Sequence, residues 1–186
     1  MTALTPANQL TLLRMFLIPG FVILVVYGYL GWALVVFIIA GITDALDGLI
    51  ARRSGQKTDL GAWLDPMADK LLLVTTFVVL TLPGLGLENR FPIWLTVLII
   101  SRDIGIVLTV AIVNLAVGPR TFRPSLLGKA ATAIYIVTAV AALFFNYLGY
   151  HSPIVDLAVW TSLGITLVSA FHYIWHARRI IETPGT

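Results

Sequence analysis

Cysteine is absent from this 186-residue chain, which excludes disulfides and thiolate metal sites and leaves its redox compartment without a marker. Charge is scarce too. Nine acidic and twelve basic residues, 11% of the chain, are too few to cover an ordinary soluble domain, where about a quarter of residues are charged. No repeat of fixed period, low-complexity tract or nucleic-acid motif occurs, and no sustained period-two alternation points to a β-barrel. The first apolar stretch has no basic segment ahead of it and carries Arg14 within it, so it reads as a retained span and not as a signal peptide.

What fills the chain is apolar: 59% hydrophobic residues and a mean hydropathy of +0.95. Runs at about 9–30, 31–51, 71–87, 91–117, 126–149 and 154–177 each approach the ~20 residues with which a helix crosses a hydrocarbon core. The expected fold is an all-α integral membrane protein, a bundle of six transmembrane helices forming one domain over residues 1–186. Orientation follows from the basic residues, which favour the cytoplasmic side of spans. With a cytoplasmic N-terminus, Arg52, Arg53, Lys57, Lys70, Arg120, Arg123, Lys129, Arg178 and Arg179 all fall inside and only Arg90 outside. Both termini are then cytoplasmic. Tyr27, Tyr29, Trp94, Tyr150 and Trp175 fit an aromatic belt at the span ends.

Against this background the stretch DALDGLIARRSGQKTDLGAWLDPMADK, residues 44–70, carries five aspartates. Asp44 and Asp47 are three apart and Asp65 and Asp69 four apart, so each pair shares one helix face. A polar turn from Arg53 to Asp59 makes the two helices antiparallel neighbours, and the four carboxylates can converge near the cytoplasmic interface. Partly buried carboxylates repel one another unless a cation compensates them. Hard oxygen donors without cysteine suit Mg²⁺ or Mn²⁺, and two such ions ~3.5–4 Å apart form the usual clamp for phosphoryl chemistry. Gly48 and Ala51 leave room for close approach, and Arg52 offers a forked donor to phosphate. Asp59 reads as a solvated turn residue. Asp65 before Pro66 also has the form of an N-cap with proline at the first helical position, a role compatible with metal binding.

The pattern DxxDGxxAR, eight residues, then GxxxDxxxD, carried by Asp44, Asp47, Gly48, Ala51, Arg52, Gly61, Asp65 and Asp69, resembles the signature of the CDP-alcohol phosphatidyltransferases, membrane enzymes of phospholipid synthesis. The resemblance implies a homodimer in the inner (plasma) membrane of a bacterium, with its active site facing the cytoplasm. It implies that Asp44, Asp47, Asp65 and Asp69 ligate the metals and that Asp69 is the general base. Gly48, Ala51, Arg52 and Gly61 would receive the nucleotide part of CDP-diacylglycerol. An acceptor hydroxyl would then attack the phosphorus that bears the lipid, releasing CMP.

The acceptor is less sharply marked. Arg120, Arg123 and Lys129 lie on the side of the aspartates, and a basic cluster there suits an acceptor bearing its own phosphate, glycerol 3-phosphate, although ordinary positive-inside anchoring also accounts for Arg120 and Arg123. ANQLTLLRMFLIPG (7–20) resembles family members that make phosphatidylglycerol phosphate, whereas ISRD (100–103) and RPSLLGKAATA (123–133) resemble those that make cardiolipin from phosphatidylglycerol. Glycerol 3-phosphate is the expected acceptor and phosphatidylglycerol the alternative.

Arg102 and Asp103 lie inside the fourth run, where ionisable side chains mark function by default. Being adjacent, they are expected to point apart, one toward a polar cavity or toward a partner on another span. His172 and His176 have the i, i+4 spacing of metal ligands but no third ligand nearby in sequence, and with His151 they read as interfacial residues. The non-enzyme alternative is a divalent-cation transporter, whose site would lie near the bilayer midplane.

Overall fold

The computed structural model describes the backbone of residues 6–54, 59–117 and 125–182, and the side chains of residues 9, 12–43, 70–109, 112, 115 and 125–175. Among the described residues every regular element is a helix: α1 (Pro6–Val26), α2 (Leu30–Ser54), α3 (Asp59–Thr81), α4 (Ile93–Val117), α5 (Leu126–Leu148) and α6 (Pro153–Glu182). Residues Leu126–Leu148 and Pro153–Trp175 are long and apolar enough to cross a membrane, while Leu12–Val26, Leu30–Thr43 and Lys70–Thr81 form shorter apolar stretches.

The helix boundaries depart from the hydropathy reading where polarity is concentrated. α2 continues through Arg52 and Arg53 to Ser54, and Asp59 opens α3 instead of sitting in a turn. Asp65 is therefore inside α3, not at its N-cap, and Pro66 follows it within the helix. The third apolar run ends early for a conformational reason. Pro83, Gly84 (φ 85°), Gly86 (φ 64°) and Pro92 hold the chain out of the helix between α3 and α4.

The chain packs as two compact units. Met1–Arg90 with Ala139–Ser152 forms the first, Phe91–Thr138 with Pro153–Thr186 the second, so α5 contributes residues to both. In the first unit α1 packs against α2 and against α3. The α1–α2 turn is closed by a Schellman motif: the Tyr29 amide donates to the Leu24 carbonyl at 2.8 Å and the Gly28 amide to that of Val25 at 3.0 Å. That closure needs the left-handed φ of 78° that Gly28 supplies. The resulting antiparallel pair brings the buried rings of Phe21 and Phe37 to 6.0 Å.

Asn89 ties the α3–α4 connection to the end of α5. Its amide donates to Asn146 Oδ1 at 2.8 Å, its Nδ2 to the Tyr150 carbonyl at 2.9 Å, and its Oδ1 accepts from the Ser152 amide at 2.8 Å. Asn89 is only 2% exposed, so water cannot replace these partners. Asn89→Ala is expected to lower stability by roughly 2–3 kcal/mol, because each buried polar group left unmatched costs ~1–3 kcal/mol. Denaturant unfolding in detergent micelles checks this, and a loss near zero would show that the clasp is dispensable.

In the second unit α4 packs against α6. Tyr135 of α5 shares a 2.6 Å hydrogen bond with Thr166 of α6, and Thr138 one of 2.9 Å with Ser162. Around apolar cores both units also bury polar side chains, and both expose apolar bulk. Thr76, Asn89, Thr138, Asn146, Ser162, Thr166 and Ser169 are buried, whereas Phe16, Ile93, Leu115, Leu126 and Phe171 are each more than 70% exposed. So many large apolar side chains on the outside depart from the surface that water selects. Buried hydroxyls are satisfied locally in the way a dry solvent requires: Thr76 donates to the Leu72 carbonyl and Thr138 to that of Ile134, both at 2.8 Å.

Candidate active site

The buried face of α2 is a seam of Ala33, Phe37 and Ala40, all at most 3% exposed. Their separations alternate four and three, the spacing that keeps one helix face toward a neighbour. Continued along α2, the same alternation reaches Asp44, Asp47 and Ala51. On α3 the buried seam is Leu72, Thr76 and Val79; extended toward the N-terminus, it reaches Asp69 and then Asp65. All four signature aspartates thus occupy register positions that continue the buried seams of two helices, and both helices pack on α1.

Their distances from the two helix ends are also similar. Asp44 lies ten residues before the last residue of α2, Ser54, and Asp69 ten after the first residue of α3, Asp59. Asp47 lies seven before Ser54 and Asp65 six after Asp59. Gly48 and Arg52 follow on α2 one turn apart, and Gly61 lies one turn before Asp65 on α3. The side chains from 44 to 69 lie outside the described residues. Among the described residues no three carboxylates or histidines gather into a metal-sized cluster. The donor set on the seams, carboxylate oxygen without thiolate, is the chemistry that a hard divalent cation takes.

Of the basic residues expected near the acceptor, Arg120 and Arg123 lie outside the described residues. Lys129 is exposed in the first turn of α5 and belongs to the second unit, whereas the aspartates belong to the first. Ser125 caps α5, its Oγ accepting from the Gly128 amide at 3.0 Å.

Arg102 and Asp103 correct the expectation that neighbours on a helix cannot pair. Arg102 Nη1 donates to Asp103 Oδ1 at 2.7 Å, with the two side chains 8% and 18% exposed. The arginine stem is long enough to turn back across the ~100° that separates adjacent positions, and burial rewards it for doing so. Its Nη2 donates to Ser169 of α6. Arg102 Nη2 also stands 3.5 Å from where a Cβ on Gly128 would lie, ordinary van der Waals contact, which places the guanidinium beside the start of α5.

His151 Nδ1 lies 3.3 Å from the Glu88 carbonyl and His172 is half-buried on α6, while His176 lies outside the described side chains. Arg14, which hydropathy marks only as a charge in an apolar run, is 0% exposed and the largest fully buried side chain described. It stands seven residues before Phe21, a spacing that gains meaning only from the Phe21–Phe37 contact.

Comparison with known proteins places the chain among relatives. A family model described as CDP-alcohol phosphatidyltransferase matches residues 4–171. A "Probable phosphatidylglycerophosphate synthase" of Mycobacterium tuberculosis is 32% identical over 94% of this chain and 82% of its own length. The "CDP-diacylglycerol--glycerol-3-phosphate 3-phosphatidyltransferase" of Bacillus subtilis is 32% identical over 89% and 91%. The human "Cardiolipin synthase (CMP-forming)" is also 32% identical, over 96% of this chain but 63% of its own.

Proposed function

Because the chain belongs to the CDP-alcohol phosphatidyltransferase family, we propose that it transfers a phosphatidyl group from CDP-diacylglycerol to glycerol 3-phosphate, giving phosphatidylglycerol phosphate and CMP. The observation that carries this reading is the intact signature, Asp44 to Asp69, on the inner seams of two helices that share α1. The working protein is a homodimer of six-span subunits, one domain each, in the inner membrane of a bacterium with the site facing the cytoplasm. Its exposed apolar bulk and the bias of its basic residues to one side support that placement.

Asp44, Asp47, Asp65 and Asp69 would hold Mg²⁺ or Mn²⁺, two ions in this reading. Bound there, such ions supply charge neutralisation at the diphosphate. The remaining steps belong to the protein. Gly48, Ala51 and Gly61 admit the nucleotide close to the backbone, and Arg52 donates to its phosphate. Asp69 takes the proton from the acceptor hydroxyl, the freed oxygen bonds to the phosphorus that carries the lipid, and the phosphorus–oxygen bond to CMP breaks. Arg120, Arg123 and Lys129 bind the acceptor's phosphate.

Phosphatidylglycerol as acceptor is the second reading, favoured by the equal identity to the CMP-forming cardiolipin synthase. Competition decides between them. Purified protein given CDP-diacylglycerol with both acceptors at equal concentration is expected to make phosphatidylglycerol phosphate as the main lipid. Cardiolipin as the sole product would reverse the assignment.

A further inference from the structure

Arg14 is withdrawn from solvent entirely, and a buried guanidinium is retained only where a carboxylate or comparable acceptor compensates it. The acidic residues of its packing unit are Asp44, Asp47, Asp59, Asp65, Asp69 and Glu88. Glu88 is exposed on the connection after α3. The choice among the rest follows from how α1 passes its neighbours.

The contact between the Phe21 and Phe37 rings, 6.0 Å between centroids, fixes the register of α1 against α2. The tight turn at Gly28 makes the two helices antiparallel. Seven residues back from Phe21 stands Arg14, and seven residues on from Phe37 stands Asp44. In an antiparallel pair both steps run the same way along the bundle, by ~10.5 Å at 1.5 Å per residue. Seven residues also return to nearly the same face, with only ~20° of drift. The two positions therefore oppose each other just as the two phenylalanines do. Asp44 is also the next position of the buried α2 seam after Ala40.

We propose that Arg14 is a positioning residue whose guanidinium is the fixed ion-pair partner of Asp44 and orients it within the signature. The ion pair stands on the register alone; its role in the reaction rests on the phosphatidyl-transfer reading. Arg14 touches neither donor nor acceptor. It acts through Asp44.

Thermal unfolding of the full-length protein in detergent with excess EDTA tests the pairing. Arg14→Gln is expected to lower the midpoint by on the order of 10 °C, since it leaves a buried carboxylate uncompensated in a chain of this size. In an Asp44→Asn background the same substitution is expected to cost less than half as much, and Arg14→Lys to cost less than Arg14→Gln in the native background. A second readout separates positioning from packing. A divalent cation can supply the missing positive charge, so saturating Mg²⁺ is expected to raise the midpoint of Arg14→Gln by more than it raises that of the unsubstituted protein. Equal losses in the two Asp44 backgrounds would overturn the pairing, as would a Mg²⁺ shift no larger than in the unsubstituted protein. Should phosphatidyl transfer itself fail to be found, the coupling between Arg14 and Asp44 would still be read from the same melts.

Discussion

Asp69→Asn is expected to reduce the turnover number of phosphatidyl transfer by about 10²–10⁴-fold, the range that a positioned general base contributes. The substitution is nearly isosteric and keeps one oxygen that can ligate a cation, so CDP-diacylglycerol still binds with little change. What is lost is the capacity to accept a proton from the acceptor hydroxyl. Single-turnover measurements, with donor binding followed separately, distinguish the two effects. Retained turnover would remove the base assignment from Asp69 and move it to another group at the site. A parallel loss of donor binding would give Asp69 a ligand role alone.

Removal of divalent cations is the second large effect. As the proposed metal ligands, four carboxylates on two helices that both pack on α1 repel one another without compensating charge, and in this reading Arg14 matches one of them. EDTA is therefore expected to lower transfer by about 10³-fold or more, corresponding to the several kcal/mol that a metal contributes to charge stabilisation. Added Mg²⁺ or Mn²⁺ is expected to restore the rate. Asp47→Asn should then raise the Mg²⁺ concentration needed for half-maximal rate. Undiminished transfer after exhaustive chelation would contradict a metal role for the signature.

Helix number and approximate position were legible because each apolar run is long and no competing period is present. Boundaries failed where function places polarity on a helix. Arg53, Ser54 and Asp59 read as turn and Asp65 as a cap by composition, yet the backbone is helical at each of them, because polar composition alone does not end a helix. The Asp65–Pro66 pair imitates a helix start inside α3. Pairing across the helix surface was legible by rule and misleading in one case. Arg102 reaches Asp103 because flexible stems override the angular separation of neighbouring Cα atoms.

The aspartate signature itself was fully legible, since type and spacing are carried by the chain alone. Arg14 was not, because hydropathy records it only as an exception. Its meaning depends on the Phe21–Phe37 contact, a relation between two helices that no single window of sequence contains. The Asn89 clasp was hidden likewise, joining residues 57 and more positions apart.

The measurement that bears most directly on the whole account is CMP release by the purified, metal-loaded protein given CDP-diacylglycerol, before and after glycerol 3-phosphate is added. Release that depends on the acceptor, matched mole for mole by phosphatidylglycerol phosphate, is the expected result. No CMP with glycerol 3-phosphate, phosphatidylglycerol or any other alcohol, together with divalent-cation flux in protein-containing vesicles, would contradict it.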